Sequence, residues 1–319
     1  YGRFFRLTFR TLFRSRGTYA QLSPGRFLVL LFWLPTTFIH HTIHWFFFMV
    51  DAVLFSGYRK VEVREPVFLL GVPRSGTTLL QRTMAQDTEG FSGFQLWEMM
   101  MAPSITEKYI FTGIGKLDRL LGGFGKKLVL RIEKKALAEL SKIHPTGFFK
   151  AEEDELLLVM AFSTLALVYP FPFVDEFLPM ARFDTEVEAS DRKMIMKFYK
   201  RCIQRHLYFH GPEKRFISKN PLATGKILSL RETFPDAKII CNVRTPTEAV
   251  PSMLSLTDYY WRAFKNNKDV SDFRELLLTV ASYFYSYPIE VLDQIPEDGQ
   301  AVVQFEDLKH HLKDTITGL

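Results

Sequence analysis

The stretch Val67-Phe-Leu-Leu-Gly-Val-Pro-Arg-Ser-Gly-Thr-Thr-Leu-Leu80 constrains the fold more than any other part of the chain. Residues 67–70 are all apolar and read as a short strand buried on both faces. Gly71-Val-Pro-Arg-Ser-Gly76 follows as a loop, and Thr77 opens a helical pattern. Strand, glycine loop and helix N-terminus together present backbone N–H groups and the positive end of a dipole to an anion. The Gly71-x4-Gly76 spacing matches a nucleoside-triphosphate loop, but Thr77 stands where the phosphate-neutralising lysine would be. The cation is Arg74, three residues earlier, which suits a shorter anionic group.

Three further strand-like runs, at residues 215–219, 237–243 and 301–304, alternate with helical patterns. That alternation predicts an α/β fold, a P-loop-type parallel sheet flanked by helices. The 319 residues, 47% of them hydrophobic, suffice for one large core. Two units are expected: a helical segment over residues 1–60 and an organised domain over 61–319. The chain starts at Tyr1 and stops inside a helical pattern, so further elements are expected beyond both ends. The formal net charge of +6 suits an anionic ligand or lipid surface. No clustered basic stripe or known reading module occurs in the globular part, so nucleic acid is not expected. Cys202 and Cys241 have no metal-ligand spacing and read as buried small hydrophobes.

The first sixteen residues place Arg3, Arg6, Arg10 and Arg14 among Phe4, Phe5, Leu7, Leu12 and Phe13. This is a basic amphipathic helix, made for an anionic membrane surface or for docking its apolar face on the main domain. Residues 27–50 then carry no Asp, Glu, Lys or Arg, a length that could cross a bilayer. Pro35 and the trio His40, His41 and His44 interrupt the run, so a broken interfacial hairpin competes with a span. Either way the chain is expected to be membrane-associated. Further on, Glu152-Glu-Asp-Glu155 reads as an acidic helix start leading an apolar helix over residues 156–168. Residues 126–142 and 191–210 read as further helices.

A second anion site is legible on the strand Lys238-Ile-Ile-Cys-Asn-Val243, which ends at Arg244 and feeds a helix carrying Ser252. An arginine at the carboxyl edge of such a sheet stands where open α/β folds bind ligands, and its planar fork suits phosphate oxygens. The glycine loop resembles the 5′-phosphosulfate loop of sulfotransferases, and Arg244 with Ser252 resembles their 3′-phosphate site. The resemblance, from about residue 61 onward, is to PAPS-dependent sulfotransferases, PAPS being 3′-phosphoadenosine 5′-phosphosulfate. It is closest to a broad bacterial-type group and more distant from the tyrosylprotein sulfotransferases. Ser218-Lys219-Asn-Pro221 stands where the latter have Asn-Lys-Asp-Pro, and Phe305-Glu-Asp-Leu308 is similar to a Tyr-Glu-Asp-Leu found in many members. A basic C-terminal loop known in several members would lie beyond Leu319.

The resemblance implies sulfuryl transfer from PAPS to an acceptor hydroxyl, with the basic N-terminal region pointing to a lipid-like acceptor. Pro73, Arg74, Ser75, Gly76, Thr77, Thr78 and Leu79 would cradle the 5′-phosphosulfate, Arg244 and Ser252 the 3′-phosphate. Lys219 would stabilise the departing oxygen. Glu98 and His144 compete as general base, Glu98 favoured by its distance from Arg74. No metal is expected, because no carboxylate set accompanies the loop in a Mg²⁺-holding arrangement. A P-loop kinase would need the missing lysine, and a non-catalytic scaffold would not need the retained arginines. The acceptor pocket is expected from loops at residues 102–125 and 170–180.

Overall fold

Five parallel strands place the glycine loop at the centre of one sheet in this computed structural model, which describes residues 1–136, 138–143, 146–266 and 270–318. They are β1 (Val67–Gly71), β2 (Phe91–Ser92), β3 (Arg215–Lys219), β4 (Lys238–Val243) and β5 (Gln300–Gln304), in spatial order β2-β3-β1-β4-β5. β1 registers Leu69 with Lys219 of β3 and Gly71 with Asn242 of β4. Because all pairs are parallel, the strand ends that carry Gly71, Lys219, Val243 and Gln304 share one edge. The alternation of side chains along β1 splits the core in two. Phe68 and Leu70 join the larger apolar cluster, while Val67 and Leu69 pack with Leu80, Ile240 and Leu308 on the other face. This coverage of both faces explains why the strand is continuously apolar.

The first sixty residues belong to the larger core. Helix α1 (Gly2–Phe13) buries Phe4 and Leu7, and α2 (Pro24–Leu54) buries Leu30, Leu34 and Phe48 in that same cluster. The arginines of α1 serve docking: Arg6 pairs with Glu176 at 2.8 Å and Arg10 with Asp175 at 2.9 Å, while Arg3 donates to the Glu176 carbonyl at 2.7 Å. Phe5, Phe9 and Phe13 face outward. α2 corrects the expected broken hairpin, for it runs unbroken through Pro35. One stripe of it (Arg26, Leu30, Leu34, His41, His44, Phe48, Asp51) is buried, and that packing outweighs the roughly 3 kcal/mol an internal proline costs. His44 Nδ1 meets Glu107 Oε1 at 2.6 Å with both side chains buried, so this histidine packs against protein.

Helices α3 (Thr77–Met84), α4 (Leu96–Met101), α5 (Ile105–Leu120), α6 (Phe124–Ala136) and α7 (Ala138–Ile143) follow, and every described residue of 126–142 is helical as expected. The expected helix over 156–168 is shorter: α8 is Glu155–Val159. The chain leaves it through Phe162 at φ 53, with the Phe162 N–H bonding the Val159 carbonyl and the Ser163 N–H that of Leu158. That pair is a Schellman stop, built here on phenylalanine where glycine is usual. A short 3-10 turn, Leu165–Val168, comes next. The long α9 (Ala189–His210), α10 (Pro246–Ala263) and α11 (Val270–Val291) complete the frame. Cys202 and Cys241 are buried and unpaired, their thiols pushed up to about 12 by burial.

Asp51 locks α2 into this frame. Its fully buried carboxylate accepts from the Ile105 and Thr106 N–H groups at 2.8 and 2.9 Å and from Arg205 Nε at 3.1 Å. Removing it strands a buried guanidinium as well as a helix start. Asp51→Ala is expected to cost about 3–5 kcal/mol in urea unfolding. A loss below about 1 kcal/mol would mean that α2 is not part of the cooperative fold.

Candidate active site

The close approach of β1 and β4 builds the site. At Gly71 (φ 115) a Cβ would lie 2.1 Å from the Asn242 carbonyl oxygen, so no side chain fits. The Thr224 hydroxyl pins the same residue, accepting its N–H at 2.9 Å and donating to the Pro221 carbonyl at 2.7 Å. The loop then turns through two left-handed residues, Arg74 at φ 76 and Gly76 at φ 89. A Cβ at Gly76 would meet the Phe305 ring at 2.7 Å. Arginine in a left-handed conformation is uncommon, and strain of this kind concentrates at ligand-holding loops. α3 starts immediately after, its first-turn N–H groups facing the loop.

Arg74, Arg244 and Ser252 come together although 178 residues separate the first from the last. Arg74 Nε donates to Ser252 Oγ at 2.9 Å, and Arg244 Nη1 donates to the Arg74 carbonyl at 3.2 Å. Arg244 also pairs with Glu248 at 2.9 Å and lies 4.2 Å from the centre of the Phe305 ring. Burial, and then the charge of Arg244, push the Arg74 guanidinium below its ordinary pKa, against the pull of Glu153. Two cations held this close favour an anion between them. Ser75 is fully buried, and its Oγ has no hydrogen-bond partner among the described residues.

Lys219 closes the site from β3. It is fully buried, with Nζ 3.2 Å from Thr78 Oγ1, 3.1 Å from Glu153 Oε1 and 3.6 Å from Glu152 Oε2. A cavity of about 750 Å³ opens here. Its polar end holds Pro73, Arg74, Gly76, Thr77, Thr78, Leu79, Glu153 and Arg244. Its far end is apolar, walled by Val159, Leu167, Leu277, Phe264 and Trp33 of α2. A smaller cavity of about 350 Å³ shares Arg244 and Phe305 and extends past Thr245 and Tyr285.

A family profile described as the sulfotransferase family matches residues 66–319. The chain belongs to the sulfotransferase family. Two curated relatives, from Mycobacterium bovis and Mycobacterium tuberculosis, are each named omega-hydroxy-beta-dihydromenaquinone-9 sulfotransferase Stf3. Each is 28% identical over 205 residues, 62% of this chain and 46% of the relative. The match therefore spans about half the length of those proteins. Among solved structures, sulfotransferase STF9 of Mycobacterium avium superposes with a TM-score of 0.68 at 19% identity, covering 89% of this chain and 69% of that one. Sulfotransferase STF1 of Mycobacterium tuberculosis gives 0.66 at 16% identity, covering 99% and 81%. These two likenesses establish the shared fold.

Within this sulfotransferase fold, Glu98 does not line the cavity. It is 1% exposed and closes a capping box at the start of α4, accepting the Gln95 N–H at 2.9 Å. Its Oε1 meets the buried Lys108 Nζ at 2.7 Å and His210 Nε2 at 2.6 Å, and the buried His206 stands 3.7 Å away. Burial alone would raise this carboxyl; Lys108, His206 and His210 more than offset that and hold it well below the ordinary carboxylate range. In this arrangement the Glu98 carboxylate is taken up by Lys108 and His210, away from the cavity lining. Glu153 and Glu155 are the acids that line the cavity, and Glu98 stands apart from it. His144 lies outside the described residues. Residues 102–125 form helix α5 and a turn away from the cavity lining, and of 170–180 only Pro170 reaches it. Sequence reading did not single out Glu153, a member of the acidic run taken as a helix start, which lines the cavity 3.1 Å from Lys219. Its signal was position, directly ahead of the apolar wall.

Glu98→Gln leaves Lys108 buried without a counter-charge, so a stability loss of about 3–5 kcal/mol is expected at neutral pH. A carboxyl with a lowered folded pKa stabilises above its unfolded pKa and loses that contribution as pH falls through the folded value. The difference between wild type and variant should thus persist down to roughly pH 4 and shrink only below it. Turnover per folded molecule should stay within about tenfold of wild type; a collapse of turnover with full stability would make Glu98 the base after all.

Proposed function

We propose that the chain transfers a sulfuryl group from PAPS to the hydroxyl of a lipid-like acceptor. One observation carries this reading: a single cavity joins the glycine loop with Arg74, and Arg244 beyond β4, to an apolar wall that reaches Trp33 on α2. Arg74 and the N–H groups of Ser75, Gly76, Thr77 and Thr78 would hold the 5′-phosphosulfate, with Arg244 and Ser252 on the 3′-phosphate. Family membership supports the donor, and so do the fit of the arginine pair to two anionic groups and the Cβ-free approaches at Gly71 and Gly76. The name of the mycobacterial relatives supports a hydroxylated, apolar acceptor.

In the proposed reaction the acceptor oxygen attacks sulfur, forming an O–S bond as the bond from sulfur to the 5′-phosphate oxygen breaks. The products are a sulfate ester and adenosine 3′,5′-bisphosphate. Glu153 takes the acceptor proton. It lines the cavity, is about one-third exposed, and stands 3.1 Å from Lys219, which keeps its carboxylate oriented. Lys219, anchored on Thr78, stabilises the negative charge developing on the leaving oxygen, and Arg74 adds to the field. No step is assigned to a metal, since Arg74, Lys219 and Arg244 supply the positive charge. The apolar outer face of α2, with Phe27, Leu31, Phe32 and Ile39 exposed, would keep the cavity beside a membrane holding the acceptor.

Transfer of labelled sulfate from PAPS into a whole-lipid extract tests the reading. Wild type should label a lipid fraction, and Glu153→Gln should lower kcat by roughly 10²–10⁴-fold while adenosine 3′,5′-bisphosphate binding is kept. Label entering only peptides or glycans would overturn the acceptor class. An undiminished Glu153→Gln rate would overturn the base.

A further inference from the structure

We propose that the helical hairpin α5–α6 is a membrane-docking element whose tip inserts into an anionic lipid bilayer. Its root is firmly built: Ser104 and Glu107 form a capping box, Asp51 holds the Ile105 and Thr106 N–H groups, and Lys108 is fully buried. Beyond Lys108 the packing stops. From Tyr109 to Lys135 no described residue is buried. Yet Ile114, Leu117, Leu120, Leu121, Phe124 and Leu128 lie there with more than half of each side chain exposed, Leu120 at 84% and Phe124 at 72%. Two helices joined this way cannot cover their own apolar surface, and soluble surfaces rarely leave so much of it contiguous.

The tip is a formed turn. Asp118 accepts the N–H groups of Gly125 and Lys126 at 2.7 and 2.9 Å, capping α6. Gly122 and Gly123 take the left-handed conformations, φ 95 and 71, that let the chain reverse. A capped, tight turn presents Leu120, Leu121 and Phe124 together at the far end of the hairpin.

Charge decides what covers it. α6 carries Lys126, Lys127, Arg131, Lys134 and Lys135 against the single acid Glu133. A second copy of the same hairpin would bring these like charges together. An anionic headgroup layer complements them, with long basic side chains reaching the headgroups while the apolar ones sit deeper. The hairpin also packs at its root on α2, whose outward Phe46, Met49 and Val53 extend the same kind of surface. This docking does not depend on the sulfuryl-transfer reading, and binding can be measured without turnover.

The full chain would be sedimented with phosphatidylcholine vesicles, with and without phosphatidylglycerol. Two variants accompany it: the tip triple Leu120→Asp, Leu121→Asp, Phe124→Asp, and the charge triple Lys126→Glu, Lys127→Glu, Arg131→Glu. Wild type should partition at least about tenfold better onto the phosphatidylglycerol vesicles, and each triple should lose at least about tenfold of that binding. Far-ultraviolet circular dichroism and melting temperature should match wild type in both, because the substituted residues bury nothing. Wild-type vesicle binding by either triple would assign docking to α1 and α2 alone and overturn the proposal. So would a tip triple that turns a dimer into a monomer without weakening vesicle binding, since a second copy would then be the occupant.

Discussion

The structure depends on how closely two backbone strands approach at Gly71. With no Cβ there, β1 comes against the Asn242 carbonyl of β4, and the next residues of each strand enter one shared space. That contact is what lets Arg244 donate to the carbonyl of Arg74, 170 residues away, while Arg74 donates to the Ser252 hydroxyl. The left-handed turns at Arg74 and Gly76 then aim the loop along the start of α3, with the Phe305 ring filling the space a side chain would have taken. Positive charge is concentrated here by geometry that tolerates no side chain at its pivots.

Acidic residues divide between structure and site according to what surrounds them. Glu98 and Glu155 are buried and fully matched, the first by Lys108 and His210, the second by Lys226 at 2.8 Å. Each such pair holds helices together and is spent on packing. Glu153 sits between the lysine of β3 and the cavity, partly open to it. Glu155 also lines the cavity, but Lys226 takes up its buried carboxylate, whereas Glu153 stays about one-third exposed.

Much of this was legible in the residue order, and the failures have physical causes. The loop and the four longer strands are local patterns that sequence spacing carries, while the pairing of Arg74 with Arg244 and Ser252 came from the resemblance to sulfotransferases. β2 is two residues long and has no periodicity to read. The α8 stop depends on Phe162 taking a backbone conformation usually left to glycine. Glu98 looked available because its partners come from ten and 112 residues away, a distance at which sequence says nothing about contact. Pro35 and the histidines left a broken hairpin competing with a continuous helix over this stretch, and the tertiary packing that decides for the helix has no local signature. Of the two readings open for α1, docking on the domain has Asp175 and Glu176 against its arginines, partners 165 or more residues away that sequence order does not show.

The central claim is that the glycine loop with Arg74, together with Arg244, takes a nucleotide with two separate anionic groups and no metal. Titration calorimetry with adenosine 3′,5′-bisphosphate, beside ATP with Mg²⁺, addresses it most directly. The account predicts saturable binding of the bisphosphate that Arg244→Ala weakens by at least about tenfold, the worth of one charge-assisted contact. Tighter binding of ATP with Mg²⁺, or bisphosphate affinity indifferent to Arg244, would contradict it.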